Sequence, residues 1–267
     1  MKKIFHWILN IGWRFSGPRY KALFLSSHLP TTEMDYPGLK CRVLSYPQFR
    51  LSKPMRNEPH TVEWIERVRQ GEVLYDIGAS VGPYALIAGK RGCRVYAFEP
   101  TPASFASLLD NIQLNHLETE VHPLNVALGE RTEFHPFSYR SLSAGETLHG
   151  GLSENDINAA DANGNGFSHL LYSWRLDDLQ RATGIPLPDH VKMDIDGYEL
   201  PALRGGRQTI AHCKTAQVEV REYTADSVVA FFSELGFRVE REIMRIKKGK
   251  KQKNAWVKDI QFQKITP

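Results

Sequence analysis

Cysteine is scarce: only Cys41, Cys93 and Cys213 occur in 267 residues, and no two share a metal-ligand or redox-pair spacing. So sparse and odd a set excludes a disulfide-stapled secreted domain and suits a reducing, cytoplasmic setting, with Cys93 and Cys213 read as small buried apolar residues. Long apolar runs are also missing, and none reaches the ~20 residues of a membrane span. The opening Met1-Lys2-Lys3 and Ile4-Phe5-His6-Trp7-Ile8-Leu9 imitate a signal peptide, but the run is short and no small-residue cleavage site follows. Secretion is therefore not expected. No internal repeat is visible. The third glycine of the dinucleotide fingerprint G-x-G-x-x-G is absent, which argues against a nicotinamide-dependent oxidoreductase.

What the chain has is 42% hydrophobic residues, enough for one sizeable core, and an uneven charge behind its net +4. Residues 1–60 hold ten Lys/Arg against three Asp/Glu, and residues 238–258 hold nine against two, whereas 61–237 hold 14 against 24. The basic, aromatic ends are read either as a solvated flank and hairpin tip or as contacts for an anionic acceptor or the inner face of a membrane, the latter through the N-terminus. The acidic centre disfavours a nucleic acid crossing it.

Val73 to Ile77 is a β-branched and aromatic run that ends in a glycine turn, Gly78-Ala79-Ser80-Val81-Gly82. Such a turn brings backbone N–H groups at a helix N-terminus close to a ligand. A second run, Val95 to Phe98, stops on Glu99, placed to accept hydrogen bonds from a ribose diol. Asp76 stands before the first glycine, where a carboxylate would repel a pyrophosphate but suits the zwitterionic end of S-adenosylmethionine. These residues, with Gly78, Ser80 and Gly82, form the expected cofactor site; Asn125, carried by a third strand near 120–128, is expected to meet the adenine or to serve as a turn residue.

Further along, a helix near 176–183, a strand 190–195, a helix 198–211, a strand 215–220, a helix 225–235 and two strands flanking a basic turn at 247–253 are expected. Alternating strands and helices that end in a hairpin predict a mostly parallel sheet with one antiparallel edge strand. Residues 1–60, broken by six prolines, form an extension whose first dozen residues, with Trp7 and Trp13, could be an amphipathic helix. Residues 61–267 form the main domain, and the Gly/Ser/Asn/Asp-rich stretch 129–172 is the expected lid or acceptor-binding insertion, with a strand at Phe134–Tyr139.

In the strand 190–195, Lys192 and Asp194 share one face, and an Asp there needs a partner: Lys192, a cofactor, a metal or an acceptor. Asp194, Asp196 and Glu219 could converge, and a divalent cation such as Mg²⁺ would relieve their repulsion. The catalytic candidates are Asp194, Lys192 and the insertion histidines His169 and His149, acting as general base or beside a metal-activated hydroxyl. Glu199 reads as a helix-start carboxylate.

Asp76-Ile77-Gly78-Ala79-Ser80-Val81-Gly82-Pro83-Tyr84 with Ala97-Phe98-Glu99-Pro100, then Trp174-Arg175-Leu176-Asp177-Asp178-Leu179, Val191 to Glu199 and Leu203-Arg204-Gly205-Gly206, resemble the ordered motifs of FkbM-type S-adenosylmethionine-dependent methyltransferases. The resemblance covers about residues 60–222. It implies a Rossmann-like class I methyltransferase fold with a seven-stranded sheet and helices on both faces. It also implies O-methylation of a hydroxyl on a sugar, a glycolipid or polysaccharide, or a natural product. Ser80 stands where the family usually has Asn, and Asp196 where it usually has Glu. An N-methyltransferase is the nearby alternative, although the Asp/Asn-Pro-Pro-Tyr motif of amino-group methylation is absent. A non-catalytic assembly protein that retains the fold is the alternative from another class. The sequence leaves the oligomeric state open.

Overall fold

The computed structural model describes residues 30–139, 143–145, 167–245 and 257–265. The N-terminal stretch with Trp7 and Trp13, His149 with most of the insertion, and the basic turn at 247–253 lie outside the described residues. A short antiparallel pair, β1 (Thr31–Glu33) and β2 (Lys40–Arg42), leads into three helices, α1 (Tyr46–Leu51), α2 (Pro54–Asn57) and α3 (Pro59–Glu66). Each of these helices has a proline in its first turn, where the missing N–H costs nothing. An alternating run follows: β3 (Val73–Ile77), α4 (Pro83–Lys90), β4 (Arg94–Phe98), α5 (Pro102–Leu114) and β5 (Val121–Leu124). Next come β6 (Ala127–Leu128), β7 (Glu133–Tyr139) and β8 (Phe167–Trp174), then α6 (Leu176–Thr183), β9 (His190–Met193), α7 (Glu199–Gly205) and α8 (Arg207–Ile210). The chain closes with β10 (Thr215–Arg221), α9 (Ala225–Glu234), β11 (Phe237–Arg245) and β12 (Val257–Lys264).

Seven strands form the main sheet in the order β5-β4-β3-β9-β10-β12-β11. The pairs from β5 to β10 are parallel, and β12 runs antiparallel to both of its neighbours. Alternate side chains of the central strands go to opposite layers. Tyr75, Ile77, Tyr96, Phe98, Val191 and Met193 pack with α6, α7 and α9. Leu74, Val95 and Ala97 pack with α3, α4 and α5. Both faces are thus covered, the arrangement that all-parallel strands require. The second layer also takes Met34, Tyr36, Leu39 and Cys41, so the extension is packed against the sheet's helices from about residue 34.

Three elements differ from the sequence expectation. The antiparallel strand is one place in from the edge, because β12 is buried on both faces whereas β11 carries a mostly exposed, charged row and takes the outside. The strand expected over 120–128 divides after Leu124: β5 stays in the main sheet, and β6 joins β8 and β7 in a separate three-stranded sheet. The helix expected over 198–211 is two helices joined at Gly205–Gly206, where a Cβ on Gly205 would collide with the Gly129 carbonyl.

Candidate active site

The carboxyl ends of β3, β4 and β9 lie side by side, and the chemistry-bearing residues gather there. Parallel register sets Asp76 directly opposite Lys192, and Lys192 Nζ lies 3.0 Å from Asp76 Oδ1 with both side chains buried. Burial opposes the charge on Lys192, but Asp76, with Asp194 and Glu58 nearby, holds its pKa above the ordinary range. Lys192 also lies 5.1 Å from the centre of the Tyr84 ring. The partner of Lys192 is therefore Asp76 rather than Asp194, because the adjacent strand offers a carboxylate at the same level. Asp76 Oδ2 is buried and has no hydrogen-bond partner.

Beyond Asp76 the chain turns through Gly78 (φ +82°), Ser80 (φ +53°) and Gly82 (φ +92°). A Cβ on Gly78 would fall on the Asp194 carbonyl oxygen, and one on Gly82 would meet Leu108 Cδ1 at 2.5 Å. These glycines are thus required by the chain's own packing. Ser80 holds a left-handed backbone, a conformation that Asn adopts more readily than Ser. Its amide donates to Glu99 Oε2 at 2.8 Å, while its buried Oγ has no partner. Glu99 Oε1 accepts from the Thr101 amide at 2.7 Å, and burial raises the pKa of this carboxyl. Asn125 Nδ2 donates to the carbonyls of Glu99 (2.8 Å) and Pro100 (3.2 Å), so its amide fixes the turn after β4.

The turn after β9 supplies Asp194. Its amide donates to the Ile77 carbonyl at 3.0 Å, and its half-buried carboxylate forms no ion pair among the described residues. Asp196 takes φ +57°, a conformation that the short Asp tolerates better than most side chains, and Arg221 Nη2 lies 3.5 Å from it. Glu199 is fully buried beneath this turn: Oε1 accepts from the amides of Ile195 (3.2 Å) and Gly197 (2.9 Å), and burial pushes its pKa up to about 7.

Behind Asp194 lies a charge cluster. Arg245 pairs with Glu58, with Glu219 and with Asp259 (2.6 Å). Asp259 also meets His60 Nε2 at 2.8 Å, and the Tyr84 hydroxyl donates to Glu58 at 2.7 Å. One guanidinium cannot neutralise so many acids. Burial, then the charge of Asp194, pushes Glu219 up to about 9, and burial also raises Glu58.

Of the three acids expected to converge, Asp194 and Asp196 both add to the effect of burial in pushing Glu219 up, while Arg245 pairs with Glu219 and Arg221 lies against Asp196. Among the described residues no group of three His, Cys, Asp or Glu could hold a metal ion, and these side chains do not fit the Mg²⁺ site expected of them. His169 lies in β8, in register with Phe137 of the small sheet and not at the strand ends that carry Asp76, Glu99 and Asp194. Sequence reasoning missed Glu58, His60, Arg245 and Asp259. No local pattern pointed to them: even Asp259 stands between Lys258 and Ile260 in a stretch, Val257 to Phe262, only half of whose residues are apolar.

A doubly wound sheet with a glycine turn, an acidic strand end and a free carboxylate at the next strand defines a Rossmann-like nucleoside-binding fold of the class I methyltransferase type. A family profile described as the methyltransferase FkbM domain matches residues 76–239. The chain belongs to this family of S-adenosylmethionine-dependent methyltransferases. The hexuronic acid methyltransferase AglP of Haloferax volcanii is 25% identical over 169 residues, 63% of this chain and 64% of that protein. A tRNA (guanine(37)-N(1))-methyltransferase of Batrachochytrium dendrobatidis is 45% identical over 58 residues, 21% of this chain and 12% of that protein. These matches span less than two thirds of each relative's length. The fold also matches Trm5b from Pyrococcus abyssi, with TM-score 0.51 and 14% identity over 87% of this chain and 55% of that one. No helix among the described residues is long and apolar enough to cross a membrane.

Proposed function

We propose that this chain is an O-methyltransferase that transfers the methyl group of S-adenosylmethionine to a hydroxyl of a sugar-containing acceptor. The observation that carries this reading is Asp194: a half-buried carboxylate without an ion pair, at a strand end, between two closed charge assemblies, Asp76–Lys192 and the Arg245 cluster. The cofactor's fit rests on two buried polar atoms without partners, Asp76 Oδ2 and Ser80 Oγ, in a turn whose backbone amides already gather acceptors. When bound, S-adenosylmethionine supplies a methyl group activated on a sulfonium sulfur. Glu99 has lone pairs left after its two amide bonds and would accept from the ribose hydroxyls. Asp76 and Ser80 would receive the amino-acid end, and Asn125, whose amide fixes the turn after β4, would serve the adenine.

Asp194 takes the proton from the acceptor hydroxyl as it attacks. Lys192 stays charged and paired to Asp76, so its role is to fix that carboxylate and not to exchange protons. Positioning of the hydroxyl in line with the transferred methyl supplies much of the rate. Similarity to the hexuronic acid methyltransferase supports a sugar-class acceptor. Methylation of a nucleic-acid base is the lesser reading; its support is a run of short tRNA-methyltransferase matches, and the surplus of carboxylates around Asp194 opposes a polyanion.

Calorimetry with S-adenosylmethionine and S-adenosylhomocysteine tests the reading. Saturable binding of both, lost in Glu99→Ala while the variant keeps its thermal transition, is the expected result. Folded parent protein that binds neither ligand would overturn it.

A further inference from the structure

Residues 40–57 contain five basic residues (Lys40, Arg42, Arg50, Lys53 and Arg56) and no acidic one. The same stretch carries large apolar side chains in solvent: Tyr46 is 78% exposed, Leu44 58%, Phe49 45% and Met55 44%. Apolar groups of this size are ordinary when scattered; here they lie within residues 44–56, on and beside two short helices, together with Arg50, Lys53 and Arg56. Lys53 lies 5.8 Å from the centre of the Phe49 ring, so charge and aromatic surface are interleaved. The nearest acids in the chain are already engaged. Glu33 pairs with Lys40 at 3.7 Å, and the Asp35 carboxylate accepts the amides of Met55 (3.1 Å) and Arg56 (3.0 Å). Arg50 and Arg56 are exposed and form no ion pair among the described residues. The surface is held rigidly: Gln48 donates to Ser107 at 2.9 Å, the Ser45 hydroxyl donates to the Ala144 carbonyl at 3.2 Å, and the Gly145 amide donates to Ser104 at 3.1 Å. Ser104 and Ser107 lie in the first half of α5, which begins three residues after Glu99, so the surface flanks the candidate site.

We infer that residues 44–56, with α1 and α2, form a docking surface for an anionic lipid bilayer, with Tyr46, Phe49, Leu44 and Met55 entering the headgroup region and Arg50, Lys53 and Arg56 meeting lipid phosphates. Interfacial binding of this kind adds buried apolar area to attraction between basic side chains and anionic lipid. A second copy of the chain fits less well, because pairing this face with itself would oppose like charges. Docking here would hold the candidate site at the bilayer surface, where lipid-linked acceptors are found. The inference does not depend on methyl transfer.

Sedimentation of the full chain with vesicles tests it, comparing phosphatidylcholine alone with a phosphatidylcholine–phosphatidylglycerol mixture. Binding to the mixed vesicles, released by high salt, is expected. Arg50→Gln/Arg56→Gln should weaken partitioning by roughly tenfold or more, and Tyr46→Ser/Phe49→Ser should weaken it as well. Thermal melting confirms that each variant is folded. Absence of binding, equal binding to both vesicle types, or variants that bind as the parent does would each overturn the proposal. So would a dimer in solution that is abolished by Tyr46→Ser/Phe49→Ser in a chain that ignores vesicles.

Discussion

Single residues at this site divide into those whose partners are adjacent in sequence or register and those whose partners come from afar. Asp76, Gly78, Glu99 and Asp194 were legible in the sequence because each ends or follows an apolar run, and a doubly wound sheet gathers strand ends at one edge. Glu58, Arg245 and Asp259 were not, since 187 residues separate Glu58 from Arg245 in the chain and no local pattern links them. The same distance explains the metal expectation: three acids were read without Arg221, which lies against Asp196, and Arg245, which lies against Glu219. Asp194 is left with the sharpest consequence. In Asp194→Asn the amide still fits the turn but cannot take a proton, so methyl transfer to an acceptor hydroxyl should fall ~10²–10⁴-fold. Calorimetric affinity for S-adenosylhomocysteine should be retained. Loss of both together would assign Asp194 to cofactor binding, and loss of neither would remove it from the chemistry.

At the scale of elements, the legible part was the set of strands bounded by turn residues and the helices with apolar stripes. The bounds of α6 coincide with the expected 176–183 because Leu176 and Leu179 face the core and Gly184, at φ +67°, ends the helix. β8 was hidden inside a stretch read as irregular. Leu170 and Leu171 are adjacent apolar residues that break the two-residue alternation, and the Leu170 and Tyr172 face of the strand is exposed. The place of β12 inside the sheet was equally illegible, since a hairpin fixes which strands pair but not which one faces outward. The junction of β3 with the turn after β9 constrains the site through the close approach of Gly78 to the Asp194 carbonyl. Gly78→Ala would push a methyl group into the Asp194 carbonyl and force an alanine to hold φ +82°. A loss of about 3 kcal/mol or more in denaturant unfolding, or failure to fold, is expected. A variant as stable as the parent would show that the two turns separate readily.

For the molecule as a whole, the surplus of buried acid sets how stability responds to pH. Burial raises the carboxyls of Glu199 and Glu219 from the ordinary 4.5 to about 7 and about 9 respectively. A carboxyl raised on folding binds its proton more tightly in the native state, so its contribution is fully present below about pH 4.5. That contribution is lost as pH rises to about 7 for Glu199 and about 9 for Glu219. Cys41 and Cys93, each pushed by burial from 9 to about 11, add a loss of the same sign above pH 9. Glu72 moves the opposite way, lowered to about 2 by Lys214, the Arg69 amide and His190 against a burial effect that opposes them. Its contribution is lost only as pH falls below about 4.5. Between pH 7 and 9 the upward shifts therefore act without opposition from Glu72, and the midpoint of thermal unfolding should fall steadily across that range. In Glu219→Gln the cluster around Arg245 no longer has that proton to release, so the slope over the same range should flatten, while the pH 5 to 7 slope shrinks to the part set by Glu199 and other groups. An unchanged slope in the variant would place the titrating proton on another member of the cluster, with Glu58, also raised by burial and joined to Arg245, the next to substitute.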